Sequence, residues 1–306
     1  MQNRIIEVAS DDVHLSLYRG FLKLTRHGEP VGQVAIDDIG ALIIRGFGAS
    51  FSVNICTKLA QAHVPIVLCG ANQAPVSVIW PIQGHHAQGL IMQQQALATK
   101  PLNKQLWAQI VRAKIQAQAA VLAAYDIKEQ TTLRTMAKNV KSGDSDNLEA
   151  QAAKRYWPAL MGENFRRSGH EGNINGALNY GYAVLRAATA RSCLAAGLHP
   201  SLSIHHQSRG DALRLADDLM EPFRPWVDYR VKQLLLENSE FEITPQTKAR
   251  LTSVLQIDCS SAQGASPIQV CMDRLAQSLA KIYQNENKKL VLDNLAIPLS
   301  ASSMEN

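Results

Sequence analysis

No apolar run in this sequence approaches the ~20 residues needed to span a bilayer, so no helical membrane anchor is expected. The opening MQNRIIEVAS lacks a charged segment followed by an apolar one, and no secretory signal is read there. The five cysteines (Cys56, Cys69, Cys193, Cys259 and Cys271) are scattered, odd in number and form no C-x-x-C. That pattern argues against a zinc ribbon and a disulfide framework, and a reducing cytoplasm is the expected compartment. The glycines of GFG at 46–48 have no G-K-[ST] behind them, so a plain turn is expected there instead of a phosphate loop. No internal repeat is present.

What remains is a chain of 306 residues, 46% hydrophobic and 19% charged, long enough for a full core and for two domains. Its net charge of +5 is unevenly distributed. Residues 1–80 carry six basic and six acidic side chains, so the whole excess arises after residue 80. A basic second part is compatible with a polyanionic partner.

Residues 1–80 read as short strands: RIIEVAS, VHLSLYRG, FLKLTR, VGQVAI, ALIIRG, VPIVLCG and PVSVIW, separated by turn signals, with one helix from Ser50 to about Ala62. After Pro81 the texture becomes helical. LNKQLWAQIVRAKIQAQAAVLAAYD (102–126) repeats apolar residues at helical spacing, KSGDSDN is a polar break, and Asn147 or Asp146 is the expected cap of a helix entering at Leu148. NINGALNYGYAVLRAATARSCLAAGL is a further long helix. Another starts near Asp211, and two more are expected at 244–256 and 266–285. The predicted class is an α+β two-domain protein. A small β-rich domain (1–80) precedes a larger all-α domain (81–299), and residues 300–306 are expected to be a disordered tail.

The most informative segment is LADDLMEPFRP. Asp218 and Glu221 are three apart and share a helix face, where like charges repel. Two readings are open: a solvated acidic turn paired with Arg214 and Arg224, or a hard-oxygen pair suited to Mg²⁺ or Mn²⁺. Pro222 should kink or tighten the helix just past Glu221. His205 and His206 lie in the connection leading into this helix, able to fold over its face, and imidazole is both a Mn²⁺ ligand and a proton carrier. Glu149, alone among small residues in LEAQAAKRYW, could be a third ligand. Lys154, Arg155, Arg166, Arg167, Arg209, Arg214 and Arg224 surround these acids in sequence, a composition suited to phosphodiester chemistry. Tyr156 and Trp157 are better read as core anchors than as base-stacking platforms.

The segments LEAQAAKRYWPAL, NINGALNYGYAVLRAATARSCLAAGLHPSLSIHH and LADDLMEPFRPWVDYRV together resemble the CRISPR-associated spacer-acquisition integrases, in the branch found beside single-protein RNA-guided effectors. The resemblance extends over nearly the whole chain. It implies metal ligands at Glu149, His206 and Glu221, with Asp218 in support as a base or water ligand. His206 is favoured over His205 because the family histidine follows L-G-x-x-H, matched by Leu202 to His206 with Ser203 in place of the glycine. Asn179 and Tyr180 would either orient the site or pack helices. The implied activity is strand transfer: a prespacer 3′-hydroxyl attacks a phosphodiester of the CRISPR repeat, with associated endonuclease activity. The implied cofactor is Mg²⁺ or Mn²⁺. The implied partners are double-stranded DNA held by Lys154, Arg155, Arg166, Arg167, Arg209 and Arg224, and a second copy joined through the β domain. A small ferredoxin-like partner dimer would complete a heterohexamer, and the RNA-guided effector nuclease is a further implied partner. Rival readings are a stand-alone metal-dependent nuclease on branched DNA and a non-catalytic DNA-binding scaffold.

Overall fold

The computed structural model describes residues 4–70, 75–79, 87–167, 172–207, 212–261, 264–286 and 289–292. Arg209 and the 300–306 tail lie outside the described residues.

The chain begins with β1 (Arg4–Val8), β2 (Val13–Tyr18), β3 (Phe21–Arg26) and β4 (Glu29–Ala35). A 3₁₀ turn then leads to β5 (Ile39–Ile44), β6 (Ser50–Phe51), α1 (Val53–Gln61), β7 (Ile66–Cys69) and β8 (Pro75–Ile79). Two four-stranded sheets result. One has the order β1-β5-β7-β8, parallel except for the last pair; the other has the order β4-β3-β2-β6. Leu15, Leu22, Leu42, Ile44, Ile55, Leu59 and Ile66 form the core between them and α1. The all-apolar β5 is buried on both faces, as parallel central strands are. Leu42 and Ile44 point into this core, and Ile43 points the other way to pack with Val67 and Ala187.

The helical part runs α2 (Gln88–Ala96), α3 (Lys100–Ala124), α4 (Glu129–Lys138), α5 (Leu148–Met161), α6 (Gly172–Ala195), α7 (Arg214–Met220), α8 (Arg224–Glu237) and α9 (Pro245–Thr252), and ends with α10 (Ile268–Tyr283). The expectation that this part is all helix needs one correction: β9 (Asp258–Ser261) and β10 (Gly264–Pro267) pair as an antiparallel hairpin between α9 and α10. Helix α3 runs through the middle of the domain and touches α4, α5, α7 and α8. Its start is set by Thr99, whose hydroxyl accepts from the Leu102 N–H, and by Pro101 in the first turn. Helix α6 approaches α8 very closely at Gly181, where a Cβ would lie 2.4 Å from Val227 Cγ1. The glycine of L-N-Y-G-Y is therefore a packing requirement.

The two parts are also tied by polar groups. Glu7 on β1 accepts from the Tyr180 hydroxyl of α6 and from Arg45 at 2.8 Å, with Lys248 of α9 at 3.7 Å. The Arg45 and Lys248 cations both lie over the Tyr180 ring, 5.5 and 5.6 Å from its centroid.

Candidate metal and DNA-processing site

Helix α5 is not capped as expected. Asn147 adopts a left-handed conformation (φ 53°) and its side chain caps nothing. The capping is done by Asp144, whose two carboxylate oxygens accept from the N–H groups of Leu148 (2.9 Å) and Glu149 (3.0 Å). A carboxylate there satisfies two otherwise unpaired donors and complements the helix dipole. It also fixes the backbone of Glu149, whose side chain lies on the same helix face as the buried Ala152 and Tyr156.

Glu221 stands where α7 passes into α8 through a 3₁₀ turn, Glu221–Phe223, enforced by Pro222 and followed by Pro225 in the first turn of α8. The carboxylate is buried, with 4% of the side chain exposed. Its Oε1 accepts from Arg224 at 2.7 Å, and the Arg224 guanidinium lies over the Tyr182 ring. Its Oε2 faces Lys114 of α3.

Lys114 joins the two acids. Its ammonium lies 2.6 Å from Glu149 Oε1 and 2.6 Å from Glu221 Oε2. The first contact is an aligned hydrogen bond. The second is a buried ion pair at the same distance, through which Lys114 helps hold Glu221 ionised. Burial works against the charge on Lys114, but the two carboxylates outweigh it and hold its pKa above the ordinary lysine value. Burial likewise opposes ionisation of Glu221, and Lys114 and Arg224 reverse that, leaving its pKa below the usual carboxylate value.

Asp218 does not share a cation with Glu221, although the two are three residues apart. It is fully buried. One oxygen accepts from the Ile204 N–H (2.6 Å) and the His205 N–H (3.0 Å); the other accepts from the His206 N–H (3.2 Å) and contacts His206 Nδ1 at 2.6 Å. Both oxygens of Asp218 are engaged by the histidine loop, which it anchors. Holding Nδ1 as a donor leaves His206 Nε2 as the lone-pair nitrogen, the arrangement common among metal-binding histidines. The hydrogen bond to Asp218 outweighs burial and raises the pKa of His206. His205 turns away and stacks on Trp107 of α3, with ring centroids 4.2 Å apart.

Glu149 and Glu221 are brought together on Lys114 from different helices. His206 and Glu221 are near enough to shift each other's ionisation. Among the described residues no three His, Cys, Asp or Glu side chains stand close enough to form a metal shell as they are, and the Lys114 ammonium lies between the two glutamates. Two carboxylates and an imidazole nitrogen are donor types that suit Mg²⁺ or Mn²⁺.

The expected cationic surround is only partly assembled. Arg224 touches Glu221. Arg167 is clamped onto α6 by Asn175 (3.1 Å) and Asn179 (2.6 Å) and lies over Tyr182. Lys154 and Arg155 are exposed on α5, and five and six residues beyond Glu149 they project from a different side of the helix. Arg166 is exposed and donates to the carbonyls of Glu163 and Phe165. Asn179 belongs to the Arg167 clamp and Tyr180 to the Glu7 contact.

Behind the glutamates lies a group that sequence reasoning missed. Asp228, two helical turns beyond Glu221, accepts from the hydroxyls of Tyr156 (3.0 Å) and Tyr182, and Tyr156 is two turns beyond Glu149. Burial pushes the Asp228 carboxyl up to about 6, against the pull of both hydroxyls and of Arg224. Lys114 was also missed, though a signal existed. It occupies the stripe of α3 formed by Trp107, Val111, Gln118 and Leu122, which is buried, and a charge on such a stripe needs a partner.

A family model described as "CRISPR associated protein Cas1" matches residues 6–255. The chain is 34% identical over 294 residues to a CRISPR-associated endonuclease Cas1 of Neisseria meningitidis serogroup C (strain 8013), covering 95% of this chain and 96% of that one. Among solved structures it resembles a casposase bound to integration product, with a TM-score of 0.78 and 19% identity over 94% of this chain and 93% of that one. It also resembles a chain of a Cas6-RT-Cas1–Cas2 complex, with a TM-score of 0.74 and 15% identity over 95% of this chain and 36% of that one. At these identities the two structural likenesses establish the fold.

Proposed function

The chain belongs to the CRISPR-associated Cas1 family, and from that premise we propose that it is a metal-dependent DNA integrase of CRISPR adaptation with associated endonuclease activity. The observation that carries this reading is the meeting of Glu149 and Glu221, from different helices, on one cation 2.6 Å from each. Glu149, Glu221 and Nε2 of His206 would hold Mg²⁺ or Mn²⁺, which when bound screens the charge of the phosphodiester and lowers the pKa of an oxygen nucleophile.

The chain's own residues prepare the site. Asp144 fixes the start of α5 and hence Glu149. Arg224 engages one oxygen of Glu221 and leaves the other facing inward. Asp218 holds the His206 ring in one tautomer. In the proposed reaction the prespacer 3′-hydroxyl forms a new phosphodiester with the repeat strand, and the strand's original 3′-oxygen leaves carrying the proton given up by the attacking hydroxyl. One phosphodiester replaces another, so no nucleotide cofactor is consumed. Asp218 is assigned to positioning. Lys154, Arg155, Arg166, Arg167 and Arg209 are proposed to contact the DNA backbone, with Arg224 nearest the acids.

The proposed assembly is a homodimer joined through the β domains, two such dimers being bridged by a small ferredoxin-like Cas2-type dimer; the RNA-guided effector nuclease is a further proposed partner. The likeness to a chain that assembles in a Cas6-RT-Cas1–Cas2 complex supports a Cas2-type partner. The exposed Val31, Phe47, Val53 and Val76 of the β domain support a joining surface there.

The test is a strand-transfer assay with labelled prespacer and a plasmid carrying the repeat, comparing wild type with Glu221→Ala, with and without Mn²⁺ and the partner. Label in the plasmid only with wild type and metal is expected. Plasmid cutting without label transfer would leave a nuclease, and equal behaviour of the two proteins would refute the site.

A further inference from the structure

We infer that Lys114 is the built-in counter-cation of this site: its ammonium bridges Glu149 and Glu221 while no divalent ion is bound, must withdraw for one to enter, and thereby sets the affinity for Mg²⁺ or Mn²⁺. The inference rests on the metal reading above and goes beyond it by assigning a residue that no ligand motif contains.

Charge counting supports the assignment. Two carboxylates, one ammonium and one guanidinium meet here, so the metal-free centre is close to neutral. A divalent ion added while the ammonium stayed in place would leave two uncompensated positive charges in a poorly hydrated site, which is strongly unfavourable. The ammonium and the metal therefore compete for the same two oxygens.

The two cations on Glu221 are built differently. Arg224 is three residues away on the same chain turn, lies against Tyr182 and makes an aligned hydrogen bond to Oε1. Lys114 comes from another helix on a flexible four-carbon stem and reaches Oε2 as a compact point charge. The first contact has the features of a fixed support and the second those of an exchangeable ion. A packing role explains Lys114 poorly, since a buried ion pair adds less stability than apolar side chains of the same volume would on that stripe of α3.

The experiment uses the full chain. Mn²⁺ binding by calorimetry and thermal unfolding in EDTA are compared for wild type, Lys114→Met and Lys114→Met/Glu149→Gln. Lys114→Met is expected to bind Mn²⁺ on the order of tenfold more tightly or better, because the competitor is gone. In EDTA its Tm should fall by about 5 °C, as the Glu149 and Glu221 carboxylates face each other without the ammonium between them, and Mn²⁺ should restore it. The double variant, relieved of that repulsion, should recover much of the lost Tm in EDTA. Equal or weaker Mn²⁺ binding by Lys114→Met overturns the inference while leaving the metal reading intact. Absence of Mn²⁺ binding by both proteins overturns the two together. Failure of both variants to fold would show that Lys114 serves packing, and also overturns it.

Discussion

The carboxylate of Asp218 holds His206 twice, by its backbone N–H at 3.2 Å and by its ring Nδ1 at 2.6 Å. With Ile204 and His205 also donating to it, a single buried side chain shapes the whole histidine connection. Loss of activity on changing Asp218 would therefore not mark it as a group that touches DNA.

Replacing Asp218 by Asn keeps the size but halves the acceptors and turns an NH₂ toward backbone donors. A cost of about 3 kcal/mol or more is expected. Hydrogen exchange should show the amides of 204–206 losing protection before the rest of the protein. Unchanged protection there would refute the anchor role.

His206 gives opposite signs for stability and for metal binding. Its pKa is raised by Asp218. The stabilising contribution of the charged ring is therefore fully present below the ordinary histidine value of 6.5 and is lost as pH rises through the higher folded value. Metal binding needs the ring without its second proton, so Mn²⁺ affinity should rise through that same window. Calorimetry at about pH 6 and about pH 8 should give clearly weaker binding at the lower pH, and the difference should shrink in His206→Asn.

The two glutamates should separate in stability while agreeing in activity. Glu221 has 4% of its side chain exposed and serves two cations; Glu149 has 26% exposed and serves one. Glu221→Ala leaves Lys114 and Arg224 short of a buried partner and should cost about 3–5 kcal/mol. Glu149→Ala should cost about 1 kcal/mol, since Lys114 keeps Glu221. Urea unfolding in EDTA measures both, and strand transfer should be abolished in each.

Asp228 predicts an acid-side effect. Its folded pKa of about 6 lies above the unfolded value near 3.8, so folding takes up a proton between these limits and stability falls as pH rises through them. The loss is on the order of 3 kcal/mol and is complete above the folded pKa. Asp228→Asn should flatten the Tm profile of the protein between about pH 4 and about pH 6. Identical profiles for the two proteins would mean that the carboxyl is not held protonated by burial.

Much of the fold was legible because its signals are local. Val13–Tyr18, Phe21–Arg26 and Ile39–Ile44 are β-formers bounded by turns, and the stripe of α3 repeats at helical spacing. The hairpin at 258–267 escaped because DCSS and GASP carry little β signal; its strands exist through pairing with each other. The cap of α5 escaped for a related reason. Asp144 reaches over the chain from four residues upstream, whereas the capping pattern is sought in the residue next to the helix.

By itself the sequence determined the order of a β-rich and a helical part, the tightening at Pro222 and the family, because each is written in contiguous residues. Only the tertiary structure decided that Lys114 joins Glu149 to Glu221, that Asp218 holds the histidine loop, and that Asp228 closes on Tyr156 and Tyr182. Those pairings link segments far apart in the chain and bury charge. The partner of a buried charge is chosen by which helices pack together, and no local pattern encodes that.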